Sequence, residues 1–194
     1  PRGVIRPATR ADAPAIGEMH ARSWAETYPG LVPAALFEEM ADPARRRAAW
    51  ARNLAEPLLE GGTLVAEEAG AILGFVSVCR ARESALGTAG EVSGLYLLRQ
   101  AQRRGIGLAL LRAGAVRLMA EGITDAAAWV LDANHQARAF YAATGAIPGA
   151  RQAGYHRDIA ISETAHVWRD LSAIPPHCHT GPASASAAAN ARGI

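Results

Sequence analysis

Apolar positions along this chain recur in two rhythms, and the switches between them mark its elements. "GVIRPAT" (Gly3–Thr9) has the alternation of a first strand. From Arg10 to Tyr28, Ile16, Met19 and Trp24 recur at roughly helical spacing. Asp12 is the expected N-cap of that helix, with Pro14 in its first turn, and Pro29–Gly30 ends it. "PAALFEEM" (Pro33–Met40) and "DPARRRAAWARNLA" (Asp42–Ala55) predict two more helices, the second capped by Asp42. Gly62–Arg80 reads as a hairpin turning near Ala69–Gly70. "EVSGLYLL" (Glu91–Leu98) predicts a strand, and Gly94 inside it suggests a bulge.

The second half continues the alternation of types. A helix is predicted from about Gly105 to Glu121, with Leu108, Leu111, Ala115, Leu118 and Met119 on its buried stripe. The apolar "AAAWVL" (Ala126–Leu131) reads as a central strand, and Asn134–Gly145 as a helix with Asn134 as cap and Gly145 beyond its end. Two strand-like runs follow, near Ala146–Gln152 and Thr164–Leu171. From Ser172 onward the chain is rich in Pro, Ser, Ala and Gly without apolar periodicity, so residues 172–194 are expected to form a low-complexity tail. Strands and helices interleaved in this order predict one α/β domain over residues 1–171.

Composition narrows the class of protein. Half of the 194 residues are hydrophobic and a fifth are charged, as in ordinary globular domains. No apolar run approaches the roughly 20 residues of a membrane helix, and "PRGVIRPATR" lacks a signal-peptide core, so a cytoplasmic protein with no membrane partner is expected. The net charge of +2, spread over dispersed arginines with no lysine, argues against nucleic-acid binding. Cys79 lies in an apolar run and reads as a small buried hydrophobe, not as half of a disulfide with the distant Cys178. Neighbouring ligands in the "HCH" of His177–His179 are weak evidence for a metal, and no metal is expected.

The candidate chemistry lies in "RQAQRRGIGLALL" (Arg99–Leu111). The first amides of a helix lack intrahelical partners and sit at the positive end of its dipole, which suits a phosphate. Gly105 and Gly107 remove side chains that would hold an anion away, and Arg103 and Arg104 add charge beside the amides. A Walker loop needs a lysine, and the chain has none. A Rossmann fingerprint needs a third glycine where Leu110 stands, and follows the first strand of its fold. A glycine-rich helix start that holds no ligand is the plain alternative.

Gln102-Arg103-Arg104-Gly105-Ile106-Gly107 resembles the Gln/Arg-x-x-Gly-x-Gly/Ala loop of the GNAT superfamily of N-acetyltransferases. "NHQARAFYAATGA" resembles that family's second motif, with Asn134, Ala137, Phe140, Tyr141 and Gly145 in register. The resemblance extends from about Val4 to Leu171; Arg99 and Ala146 depart from the family's usual proline and phenylalanine. It implies a mixed, mostly antiparallel sheet of about six to seven strands flanked by about four to five helices. It implies acetyl-CoA as cosubstrate, an amine acceptor that is a small molecule or a peptide, and direct attack in a ternary complex without an acyl-enzyme. A homodimer stays open, as does a CoA-binding sensor that has lost turnover.

The resemblance also implies roles. Gln102, Arg103, Arg104, Gly105, Ile106, Gly107 and Leu108 would hold the pyrophosphate, chiefly through amides from Arg104 to Leu108. Backbone groups of Leu95 and Leu97 would meet the pantetheine arm, Asn134 would add a polar contact, and an amide near Leu97 would face the oxyanion. Tyr141 would protonate the leaving thiolate, and Glu91 would act as base through water, with His20 as the other candidate base. For the acceptor, "HARSWAETYPG" offers His20, Trp24, Glu26 and Tyr28, where a carboxylate among aromatics would suit a cationic amine.

Overall fold

In the computed structural model, which describes residues 3–156 and 159–177, the chain begins with β1 (Val4–Pro7), α1 (Ala13–Thr27), α2 (Ala34–Met40) and α3 (Pro43–Ala55). It continues through β2 (Thr63–Glu68), β3 (Ala71–Arg80), β4 (Gly90–Leu97) and α4 (Ile106–Ala120). β5 (Ala126–Leu131), α5 (His135–Ala143), β6 (Ile147–His156) and β7 (Ile159–Trp168) complete it. The strands form one seven-stranded sheet in the order β1-β2-β3-β4-β5-β7-β6. Every pairing is antiparallel except β4 with β5. The fold is the mixed α/β sheet with five helices that the sequence suggested.

The sheet buries both faces. On one, Val76, Val78, Leu95, Leu97 and Val130 pack under Leu108, Leu111 and Leu118 of α4 and Phe140 of α5. On the other, Phe75, Tyr96 and Leu131 pack under Ile16 and Trp24 of α1 and Trp50 of α3. Strand alternation sends neighbouring residues to opposite faces, which is why Leu95 and Tyr96 serve different cores. The β2–β3 turn falls where expected, with Ala69 at φ 51° and Gly70 at φ 79°, the left-handed pair a tight hairpin requires.

Three expectations shift. Asp12 does not cap α1 with its side chain; a short 3-10 turn over Arg10–Asp12 intervenes. Its carboxylate takes the Thr9 amide at 2.7 Å and both terminal nitrogens of Arg6, an ion pair that outcompetes the cap. The last two strands are longer than their hydrophobic runs, because the two pair along most of their length; β6 is largely exposed, and β7 buries the polar Glu163, Thr164 and His166. The domain also runs past Ser172: Leu171 and Ile174 are buried in the α4-side core, and Arg112 donates to the Ile174 carbonyl at 2.9 Å. Cys178, His179 and the rest of the expected tail to Ile194 lie outside the described residues.

Candidate active site

β4 and β5 pair only at Gly90–Ala126 and Glu91–Ala127. Each strand continues toward its C-terminus without the other, so a gap opens between them. A bulge on β4 accompanies the divergence: Val92 faces Val78 and Gly94 faces Ser77, leaving Ser93 as the extra residue. Bulges bend a strand and end its pairing. The expected irregularity is therefore present, one residue before Gly94. Leu95 and Leu97 lie beyond it with side chains buried and backbones along the gap. The Leu97 carbonyl accepts a hydrogen bond from Gln102 Nε2 at 3.3 Å.

The gap opens toward the start of α4. There Arg103 has φ 59° and Gly105 has φ 77°, with Arg104 between them on the ordinary side. Alternating backbone hand turns successive N–H groups inward, the concavity that binds anions. A non-glycine residue in this region costs of order 1 kcal/mol and persists where surrounding structure demands it. Ala109 makes the first helical bond, to the Gly105 carbonyl at 3.1 Å, so the amides of Ile106, Gly107 and Leu108 precede the ladder. Arg104 reaches back to Glu68 in an ion pair. Arg103, Arg99, Gln102, Glu26, Thr27 and Gln136 line an adjoining cleft of about 570 Å³.

Tyr141 lies fully buried on α5. Its ring stands edge-on to Trp168 with centroids 5.1 Å apart and tilts against His166 at 6.0 Å. Trp168 donates to Thr144 Oγ1 at 3.0 Å, and Thr144 donates to the Tyr141 carbonyl at 2.7 Å, fixing the end of α5. The Tyr141 hydroxyl has no hydrogen-bond partner among the described residues. Burial, and secondarily Tyr96 on β4, push its pKa far above the usual phenol range, so it keeps its proton. Burial, with smaller contributions from Tyr96 and Tyr141, likewise raises the pKa of Tyr28, just past the end of α1, well above the usual phenol range.

The other candidates are placed differently. Asn134 does cap α5, accepting from the Ala137 amide at 3.0 Å, and its amide donates to the Tyr28 hydroxyl at 3.2 Å. Trp24 and Tyr28 stack at 4.0 Å inside the core. Glu26 is not with them: it accepts from the Arg99 amide at 2.7 Å, and from Arg22, on the cleft side. His20 is buried and accepts from Trp50 Nε1 at 3.0 Å on Nδ1, so its own proton belongs on Nε2. Burial, aided by Arg46, lowers its pKa far below the usual histidine value. Glu91 is buried near the start of β4, where Arg82 donates Nη2 to Oε1 at 2.8 Å and both Nε and its amide to Oε2 at 3.1 Å.

Sequence reasoning missed Tyr96, His166 and Glu163. Glu163 is wholly buried opposite Leu131 and accepts from Gln152 at 3.5 Å. A lone acidic residue on an inward strand position was its only signal. Among the described residues no cluster of metal-ligating side chains occurs.

A family model described as "Acetyltransferase (GNAT) family" matches residues 19–146. The chain is 29% identical over 176 residues to the N-acetyltransferase YuaI of Bacillus subtilis, covering 88% of this chain and 95% of that protein. It is similar in structure to a GCN5-related N-acetyltransferase from Rhodopseudomonas palustris, with a TM-score of 0.67 at 21% identity over 86% of this chain and 95% of the other. A similar likeness joins it to yncA of Salmonella typhimurium, solved with acetyl-CoA: TM-score 0.64, 20% identity, 94% and 99% coverage.

Proposed function

On the premise that the chain belongs to the acetyltransferase (GNAT) family, and so uses acetyl-CoA, we propose that it N-acetylates a primary amine by direct attack in a ternary complex. The pyrophosphate is held by the amides from Arg104 to Leu108, with Arg103 and Arg104 beside it. The pantetheine arm runs into the β4–β5 gap, where its amides meet backbone groups of Leu95 and Leu97 in the manner of an added strand. Gln102 gives up the Leu97 carbonyl to the arm and turns to the phosphates.

The observation that carries the reading is Tyr141: a buried hydroxyl without a hydrogen-bond partner among the described residues, on the helix that follows β5. A buried polar group left unpaired costs roughly 1–3 kcal/mol, and the CoA sulfur supplies the missing partner. The amine lone pair attacks the thioester carbon, and negative charge gathers on its oxygen, facing a β4 amide near Leu97. The C–S bond breaks as Tyr141 donates its proton to the thiolate, and the proton leaving the amine nitrogen restores the tyrosine. Both oxygens of Glu91 already hold Arg82, and His20 has no lone pair left for a substrate proton. Water is therefore the carrier of the amine proton.

Neither cysteine enters this scheme; the Cys79 thiol is buried and pushed up to about 11. Thiol release from acetyl-CoA over an amine panel tests the reading. Tyr141→Phe is expected to lower kcat about 10²–10⁴-fold, the range for one proton donor, with acetyl-CoA affinity unchanged. Equal turnover in the variant would remove Tyr141 from the chemistry.

A further inference from the structure

The sheet face that packs under α1 and α3 is apolar around Phe75 and Tyr96, then changes character at the bulge. Two residues beyond Phe75 on β3 stands Ser77, then Cys79; on β4 the same face carries Ser93 and Glu91. Thr63 at the start of β2 completes the patch, its hydroxyl 2.8 Å from that of Ser77. A buried sheet face ordinarily carries apolar side chains, because each buried polar group must be separately satisfied. Here helix cover is incomplete as well. Over the patch lies a cavity of about 170 Å³, roofed by Asn53 near the end of α3 and by the Glu56–Leu59 segment.

Two features of this cavity point to a ligand. Asn53 lines it, and its side-chain Nδ2 is buried with no hydrogen-bond partner among the described residues. Ser93, the bulge residue, forms part of its wall, so the cavity borders the strand segment at which the gap begins. Ser93 is two residues from Leu95, about 7 Å along a strand. A thioester drawn in along β4 thus has this cavity across the strand from α4. The charge of Arg82, which also lines it, is already matched by Glu91. Apart from the exposed Glu56 carboxylate at its rim, the cavity offers hydroxyls and one carboxamide.

We infer that this cavity receives the acceptor, and that the acceptor is a small primary amine bearing neutral hydrogen-bonding groups, of the amino-alcohol class. The inference rests on the acetyltransferase reading above. The amine end points at the bulge, and a hydroxyl on the tail pairs with the Asn53 carboxamide. The space is of the order of a small amine, with its open side to solvent. The aromatic cluster of Trp24 and Tyr28, by contrast, is filled by its own packing.

The test uses the full chain with serinol and the smaller apolar amine isobutylamine as acceptors. Wild-type enzyme should acetylate serinol with at least tenfold higher kcat/KM than isobutylamine. Asn53→Leu should erase most of that preference by raising KM for serinol about tenfold, with acetyl-CoA affinity unchanged. Leu58→Trp, at a rim position that is 68% exposed and so tolerant of change, should raise KM for both amines. Calorimetric binding of serinol to the CoA-saturated protein should weaken in parallel in both variants. A preference for isobutylamine or for tripeptide amines would overturn the inference, as would unchanged serinol binding in both variants. If acetyl-CoA itself fails to bind, the acetyltransferase reading falls instead, and the calorimetric control separates the two.

Discussion

His20 shows how one residue can be legible in kind and misread in role. Its place on a helix beside aromatics suggested a base, but the Trp50 indole occupies one ring nitrogen and the other carries the proton. Because its folded pKa is lowered, the unfolded chain takes up the proton first as pH falls below about 6.5. The stability due to neutral His20 is full above that pH and is lost as the pH drops toward the folded value. His166, lowered chiefly by burial, acts in the same direction. Asp12, whose carboxyl is lowered to about 2 by Arg6, contributes its stability fully throughout this window and loses it only as pH falls below the usual carboxylate range, so it does not confuse the slope. Urea unfolding should show stability falling by more than 1 kcal/mol between pH 7 and 5, at up to about 1.4 kcal/mol per pH unit for each such histidine. His20→Asn, which can still accept from Trp50 but cannot be charged, should show a shallower decline. An unchanged pH slope would mean that His20 is not the group titrating.

Among the elements, α4 carries both the donor loop and the closest approach to the sheet. A Cβ on Gly114 would lie 2.9 Å from Val78 Cγ1 and 3.3 Å from Val76 Cγ2, and these β-branched side chains cannot swing away. Gly114→Leu gains about 1 kcal/mol of helix propensity but overpacks this contact by about 1–3 kcal/mol. The expected net loss is up to about 2 kcal/mol in urea unfolding; a stabilised variant would contradict the close packing. The α4 stripe was readable from the sequence because its leucines keep helical period. The gap beside it was not. Whether β4 and β5 stay paired is a matter of register, set by the single extra residue Ser93, and a glycine in a strand says only that something irregular is near. The longer reach of β6 and β7 was hidden for a related reason: β6 is largely exposed, and the apolar run of β7 is broken by the buried polar Glu163, Thr164 and His166.

For the whole molecule, the two motifs that carried the resemblance sit on successive strand–helix units whose strands diverge after Glu91 and Ala127. That succession was legible from motif order. The acceptor side was not, because it depends on what covers the opposite sheet face: Trp24 and Tyr28 close over one part, while Ser77, Ser93 and Asn53 leave another open. Glu26, which shares a helix with those rings, instead clasps Arg99 ahead of the donor loop. Among the described residues no helix is long and apolar enough to cross a membrane. The most direct test of the account is calorimetric titration of acetyl-CoA into the wild-type protein and into Gly107→Val. The wild type should bind one equivalent, and the folded variant should lose at least tenfold in affinity because its side chain intrudes on the amide cradle. Absence of binding to the wild type at millimolar acetyl-CoA, or equal affinity in the variant, would contradict it.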